Sequence, residues 1–374
     1  MTYTEQRKRD ETQNFSDQKF FVEEILPATL KYVPILSPFW GELPEDQHFK
    51  ARRFQSLVEN GQSFLEMTSL EECDVAIFFC HWQLIVSDEK AYNLALQFIE
   101  KAKSKGKPVG IFSQGDWISD QPMESAIIFY TSSFQSKRRQ NEFAMPEWTS
   151  NSSKDFGSQI SIRKKQEKPR VGFYGYAPPL GMPFGLQKLK SIVRLSADNL
   201  GLMRRFCHKT GHTNRVIAVS NLSKSPLVET NFVPRKNFAF SSKSLQSASL
   251  EPEKLAQRLQ QEFCQNIIDS DYIVCCNGYE NYSIRLYETL SFGRIPIFIN
   301  TDCVLPYDFA IDWKKYCVWV DESELPFIAD KVADFHNALA PQEFEDLQYE
   351  CRRMWEEWLS PEGFFDNFYR HLEM

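Results

Sequence analysis

The chain has 374 residues, 42% apolar and 25% charged, the balance of a soluble globular protein long enough for two cores of ~150–200 residues each. Its net charge of −7 argues against a nucleic-acid-binding surface, which is ordinarily basic. Nine cysteines, an odd number set mostly in apolar runs without CxxC or Cys/His spacing, argue against a disulfide framework or a zinc site and point to a reducing, cytoplasmic setting.

The opening MTYTEQRKRDETQNF is polar, so no secretory signal is expected. No run of about 18 apolar residues exists to span a bilayer, which leaves at most peripheral membrane association. CDVAIFF (73–79) is a continuous apolar run that predicts a buried strand. SDEKAYNLALQFIEKAKSKG (87–106) predicts a helix, with Leu94, Phe98 and Ala102 on one face and Gly106 as its stop. PVGIF (108–112) and SAIIFY (125–130) predict two further strands, so the first half opens as a parallel βαβ unit. Residues 149–168 are polar and aperiodic and predict a linker.

The alternation then restarts. RVGFYGY (170–176) predicts a strand, followed by the Gly/Pro-rich APPLGMPFG and a helix to about residue 207. NRVIAV (214–219) reads as another strand, and EPEKLAQRLQQEFCQNIID (251–269) as a helix with Leu255, Leu259, Phe263 and Ile267 in register. YIVCC (272–276), a helix over 283–292 and IPIFIN (295–300) make a second βαβ unit, with CVWV (317–320) as one further strand. The aromatic tail reads as helical and packs either on its own half or back on the first. The expected fold class is α/β, two Rossmann-like domains facing across a cleft (1–165 and 166–340) followed by a helical tail (341–374).

Ligands of open parallel sheets bind beyond the carboxyl ends of the strands. That rule places Asn277, Gly278, Asn281 and Ser283 on one rim, with Asn300 and Asp302 beside them. A helix starting there turns its free N–H groups toward the rim, an anion site, with Asn281 or Ser283 as N-cap. Gly278 allows close backbone approach. Arg285 and Glu288 are three apart on that helix, a spacing that also suits an ordinary surface ion pair worth ~0.2–0.5 kcal/mol. A cation in a first turn is disfavoured by the helix dipole, which points instead to a phosphate held by Arg285, with Glu288 toward ribose hydroxyls.

Gly278, Ser283, Arg285-Leu286-Tyr287-Glu288 and Gly293-Arg294-Ile295-Pro296-Ile297, continued by Leu305-Pro306 and Ile311-Asp312-Trp313, resemble the signature of exostosin-type glycosyltransferases. The resemblance covers about residues 168–335 and more faintly 131–146. It implies a GT-B fold and a nucleoside-diphosphate sugar, UDP-linked by expectation, bound in the second domain. It further implies a glycan or lipid-linked acceptor in the first, inversion at the anomeric carbon, and no metal or other cofactor. Where bacterial members carry a basic residue before the glycine, this chain has Asn277.

Inverting transfer needs a general base beyond the first sheet, where His81 (CHW) and Asp116 (SQGDW) fall; Asp116, flanked by Gly115 and Trp117, is the preferred candidate. Arg235 is placed near the phosphate or base. Arg163-Lys164-Lys165 and Lys137-Arg138-Arg139 read as solvated surface. Asp269-Ser270-Asp271 spells a metal-binding DxD but precedes a strand, at the wrong end for a ligand. No GxGxxG follows a strand and GxxxxGK[ST] is absent, which argues against nicotinamide, flavin and the usual NTPase chemistry. A non-catalytic two-lobed nucleotide- or sugar-binding protein is the alternative reading.

Overall fold

The computed structural model describes residues 18–22, 66–80, 82–113, 126–148, 160–177, 210–235, 252–278 and 280–374. Its first sheet is wholly parallel. It holds β1 (Lys19–Phe21), β2 (Glu66–Met67), β3 (Val75–Cys80), β4 (Val109–Ser113), β5 (Ala126–Tyr130) and β6 (Glu142–Ala144), in the order β2-β1-β3-β4-β5-β6. The interior strand β4 is buried along its whole length, which is why it reads as an unbroken apolar run instead of an alternating one. Between β3 and β4 the chain forms α1 (Trp82–Ser87) and α2 (Glu89–Ser104). Asp88 caps α2 by accepting the Ala91 N–H at 3.0 Å, and Ala91, Ala95, Phe98, Ile99 and Ala102 form its buried stripe.

The second sheet is also parallel. It holds β7 (Arg170–Tyr176), β8 (Glu229–Arg235), β9 (Tyr272–Cys275), β10 (Ile295–Asn300) and β11 (Val318–Asp321), in the order β11-β10-β9-β7-β8. One expectation is corrected here. Residues 214–219 are not a strand but part of α3 (Thr210–Lys224). Gly211, Asn214, Arg215, Ala218 and Leu222 are its buried positions, a helical spacing that packing imposes over the β-branched run. The strand falls later, at β8, where Pro234 is tolerated because β8 is the sheet edge. α4 (Pro252–Ile268) and α5 (Ile284–Ser291) flank β9.

Behind the sheet, α6 (Ile328–Ala338) and α7 (Pro341–Met354) lead through a π-turn (Trp355–Leu359) to α8 (Pro361–Asp366) and a final 3-10 turn (Phe368–His371). The tail serves both sheets. On α7, Gln348 meets Arg294 and Arg163 of the second half. Beyond the π-turn, Phe364, Phe365 and Phe368 pack on Phe112 of β4, and Phe364 and Phe368 on Phe129 of β5. One aromatic cluster therefore joins tail and first sheet.

The carboxyl-end loops of the two sheets also touch. Asn281 donates its backbone N–H to Ser132 Oγ at 3.0 Å and its amide to the Ser133 carbonyl at 3.0 Å. Asp302, at φ +61°, accepts from the Ser136 backbone N–H and hydroxyl. Arg138 Nη1 meets Asp308 Oδ2 at 2.6 Å, so Arg138 is a part-buried seam residue and not the solvated cation expected. Arg163 likewise is drawn inward, onto fully buried Asp271 at 2.5 Å.

Candidate functional site

The second sheet reverses its strand order at β7: the chain steps outward to β8, then returns to β9 on the other side. β7 pairs with β8 along seven residues but with β9 only at Val171 and Gly172. Past Gly172 the two central strands part, and the crevice of a topological switch point opens. Carbonyls of Tyr174 and Tyr176, two residues apart, point to the same side of β7. Arginines replace the missing strand as their partners: Arg285 Nη2 donates to Tyr174 O at 2.6 Å and Arg215 Nη1 to Tyr176 O at 2.9 Å.

Arg285 stands in the first turn of α5, its guanidinium carbon 5.0 Å from the Phe173 ring centre and 5.5 Å from that of Phe263. Burial first, and the nearby charge of Arg215 second, pull it down to about 10, against the opposing pull of Glu288. Gly175, at φ +145°, lies beneath it; a Cβ there would sit 3.0 Å from Nη2. Ser283 has N-cap backbone geometry, yet its hydroxyl makes no capping bond. That Oγ is buried and has no partner among the described residues. Gly278 has open space where a Cβ would be. Gly293, at φ +62°, ends α5 against Gln348 O, a position for which a side chain has no room.

The other predicted rim residues are engaged by the protein itself. The Asn277 carbonyl accepts from Arg215 Nη2 at 3.1 Å and its Oδ1 lies 3.4 Å from Cys276 Sγ. Asn300 bonds Asp321 at 2.8 Å and receives the Cys303 N–H. Asn281 and Asp302 fasten the seam as described. Arg235 bonds Glu262 at 2.9 Å, and Glu262 in turn accepts from Tyr174 Oη and Arg258. Cys73, Cys264, Cys275, Cys276, Cys303, Cys317 and Cys351 are free thiols, and burial pushes Cys275 up to about 12 and Cys276 up to about 11, so these two are inert packing groups. Asp116 and His81 lie outside the described residues.

Asp269-Ser270-Asp271 is at the amino end of β9, opposite the crevice. Asp271 is fully buried, paired with Arg163 and accepting the Arg170 N–H at 2.8 Å, and Ser270 packs where a Cβ on Gly172 would collide with it. Its role is to tie strand starts together. Among the described residues no helix is long and apolar enough to cross a membrane, and no group of three His, Cys, Asp or Glu is placed to hold a metal ion.

Sequence reasoning missed Arg215, because the strand assigned to 214–219 gave it no direction. Gly211 was the available signal. A Cβ there would fall 2.3 Å from Gly278 O and 2.4 Å from Asn277 O, so only glycine lets α3 start against that loop.

No family model matches the chain. Over 57 residues it is 40% identical to a probable beta-1,4-xylosyltransferase of Arabidopsis thaliana, covering 15% of this chain and 14% of that protein. Over 61 residues it is 43% identical to a probable glucuronosyltransferase of Physcomitrium patens, covering 16% and 13%. A probable glucuronosyltransferase of Oryza sativa subsp. japonica is 35% identical over 66 residues, 18% and 16% of the two chains. The match thus spans about a seventh of the length of these relatives. These relatives are named as a xylosyltransferase and as glucuronosyltransferases, which supports the glycosyltransferase resemblance read from the motif. Overlay on spinosyn forosaminyltransferase covers 96% of this chain and 99% of the other, at 10% identity and a TM-score of 0.31, too loose to carry an argument.

Proposed function

We propose that the chain is a glycosyltransferase that moves a sugar from a nucleoside diphosphate, UDP in our reading, to a glycan or lipid-linked acceptor. The observation that carries this is Arg285. Its position in the opening turn of α5, at the switch-point crevice, leaves it one hydrogen bond among the described residues, whereas a guanidinium has five donors. Buried Arg294, in the same motif, makes the contrast. It reaches Ser161 O at 2.6 Å, Ile268 O at 2.8 Å and Gln348 Oε1 at 3.3 Å, so both of its terminal Nη groups are used by the fold. Arg285 keeps donors for a ligand, and the free Ser283 hydroxyl and helix N–H groups beside it suit phosphate oxygens.

In this reading residues 1–165 carry the acceptor and 166–340 the donor. A first-half base, Asp116 or His81, takes the proton of the acceptor hydroxyl as its oxygen attacks the anomeric carbon. The bond to the diphosphate breaks, and the negative charge that leaves is met by Arg285 and the start of α5. Attack opposite the leaving group inverts the centre. A β-linked product, as in the name of the Arabidopsis relative, is what inversion yields from an α-linked nucleotide sugar. The reaction proceeds without a metal in this account, the arginine doing the neutralising, and a cytoplasmic setting fits the free thiols.

A thermal-shift panel of nucleoside diphosphates and nucleotide sugars tests the donor. A ligand at 100 times its Kd adds ~2.7 kcal/mol of stability. Multiple-turnover UDP release with an acceptor, undiminished by EDTA, is the expected activity. Nucleotide binding without turnover on any acceptor would favour a non-catalytic binding protein.

A further inference from the structure

We propose that Arg215 is a second diphosphate-binding residue, forming with Arg285 a two-guanidinium clamp across the crevice between β7 and β9. This rests on the donor reading above and adds a residue that lies outside the motif.

The two arginines come from different helices and converge on one strand end. Arg285 bonds Tyr174 O and Arg215 bonds Tyr176 O, successive carbonyls on the open side of β7. Arg215 also reaches across the crevice to Asn277 O at 3.1 Å, beside Gly278, whose missing side chain leaves open space. It is 9% exposed, and its Nε–H, like that of Arg285, is buried with no partner among the described residues. The partners it does have are neutral carbonyls. Arg163, by comparison, is neutralised directly by Asp271 at 2.5 Å.

Two guanidinium groups held by carbonyls two residues apart on one strand form an arrangement that a shared anion suits. A diphosphate fits better than a single phosphate. Its two linked groups carry charge over a length that two convergent cations can divide, Arg285 with the start of α5 taking one and Arg215 the other. Gly211 completes the placement. It brings the first turn of α3 against Asn277 and Gly278, and Arg215 follows one turn later on the same face.

A purely architectural Arg215, tying β7 to the β9 loop, would support every ligand alike. A clamp discriminates by charge. Calorimetric titration of the wild type, Arg215→Met and Arg215→Lys with UDP, UMP and uridine separates the two. We expect the wild type to prefer UDP over UMP. Arg215→Met should lose at least tenfold on UDP and less than threefold on uridine, and Arg215→Lys should recover most of the UDP preference. Equal losses on all three ligands, or an unchanged UDP/UMP ratio in Arg215→Met, overturn the clamp while leaving the donor reading standing. Should Arg215→Met fail to fold, Arg215→Lys decides. Retained UDP preference with a lowered Tm supports the clamp, and a UDP/UMP ratio collapsed to unity in a folded Arg215→Lys overturns it. No binding of UDP or UMP by the wild type overturns the donor reading and the clamp together.

Discussion

His371 closes the chain's last 3-10 turn inside a cage of rings, with Tyr307, Phe129, Phe143 and Phe309 at centroid distances of 4.6, 4.9, 5.0 and 5.3 Å. Its Nδ1 lies 3.1 Å from Phe368 O, and Nε2 is buried without a partner among the described residues. A second proton has no acceptor, so burial, with the Arg138 charge adding to it, pulls the imidazole from 6.5 to about 3. The unfolded chain binds that proton below about 6.5 and the folded one does not. Stability from this residue is therefore complete above pH 6.5 and falls as pH drops toward 3. The slope approaches about 1.4 kcal/mol per pH unit. Linkage gives a loss of about 1.4 kcal/mol at pH 5.5 and about 2.7 kcal/mol at pH 4.5 relative to neutral pH. His371→Gln, neutral throughout, removes this component and leaves the carboxylate contributions common to both proteins. Urea unfolding of the two proteins from pH 7.5 to 4.5 should show stability curves that converge as pH falls. A difference between them that stays constant across that range refutes the reasoning.

Arg294→Met should lower unfolding free energy by at least ~2 kcal/mol, because the Ser161 and Ile268 carbonyls lose a buried donor; chemical denaturation measures it. Arg285→Met, whose side chain fits the slot between Phe173 and Phe263, should leave the fold intact and cut turnover more than tenfold, as steady-state UDP release reads out. Gly211→Ala forces a Cβ into the Gly278 carbonyl and should weaken UDP binding in calorimetry while α-helical circular dichroism persists; unchanged affinity would argue that the α3–loop contact is irrelevant to the site.

Much of the fold is legible in the sequence because parallel strands buried on both faces must be apolar throughout. β3, β4, β5, β7, β9 and β10 all coincide with such runs to within about two residues. β8 is not legible. As an edge strand with residues such as Glu229, Asn231 and Pro234 it carries no apolar signature, and the β-branched VIAV of α3 took its place in the reading. The site divides along the same physical line. Ser283 and Arg285 stand at the start of α5, where local helix-end chemistry puts them, and their role toward a donor is the proposal. Asn281 and Asp302 lie on the rim, but their polar groups face Ser133 and Ser136 of the first half, a choice set by how the halves meet, and Asn300 is taken up within its own sheet by Asp321. Arg163 and Arg138 look like solvated charge for the same reason, since Asp271 and Asp308 are distant in sequence.

The central claim is the location of the phosphates, and a crystal structure with UDP bound measures it directly. The account predicts a phosphate within hydrogen-bond distance of the Arg285 guanidinium and the first turn of α5, in the crevice where β7 and β9 part. Nucleotide phosphates seated elsewhere, with Arg285 still turned to Tyr174 and touching no ligand, would contradict it.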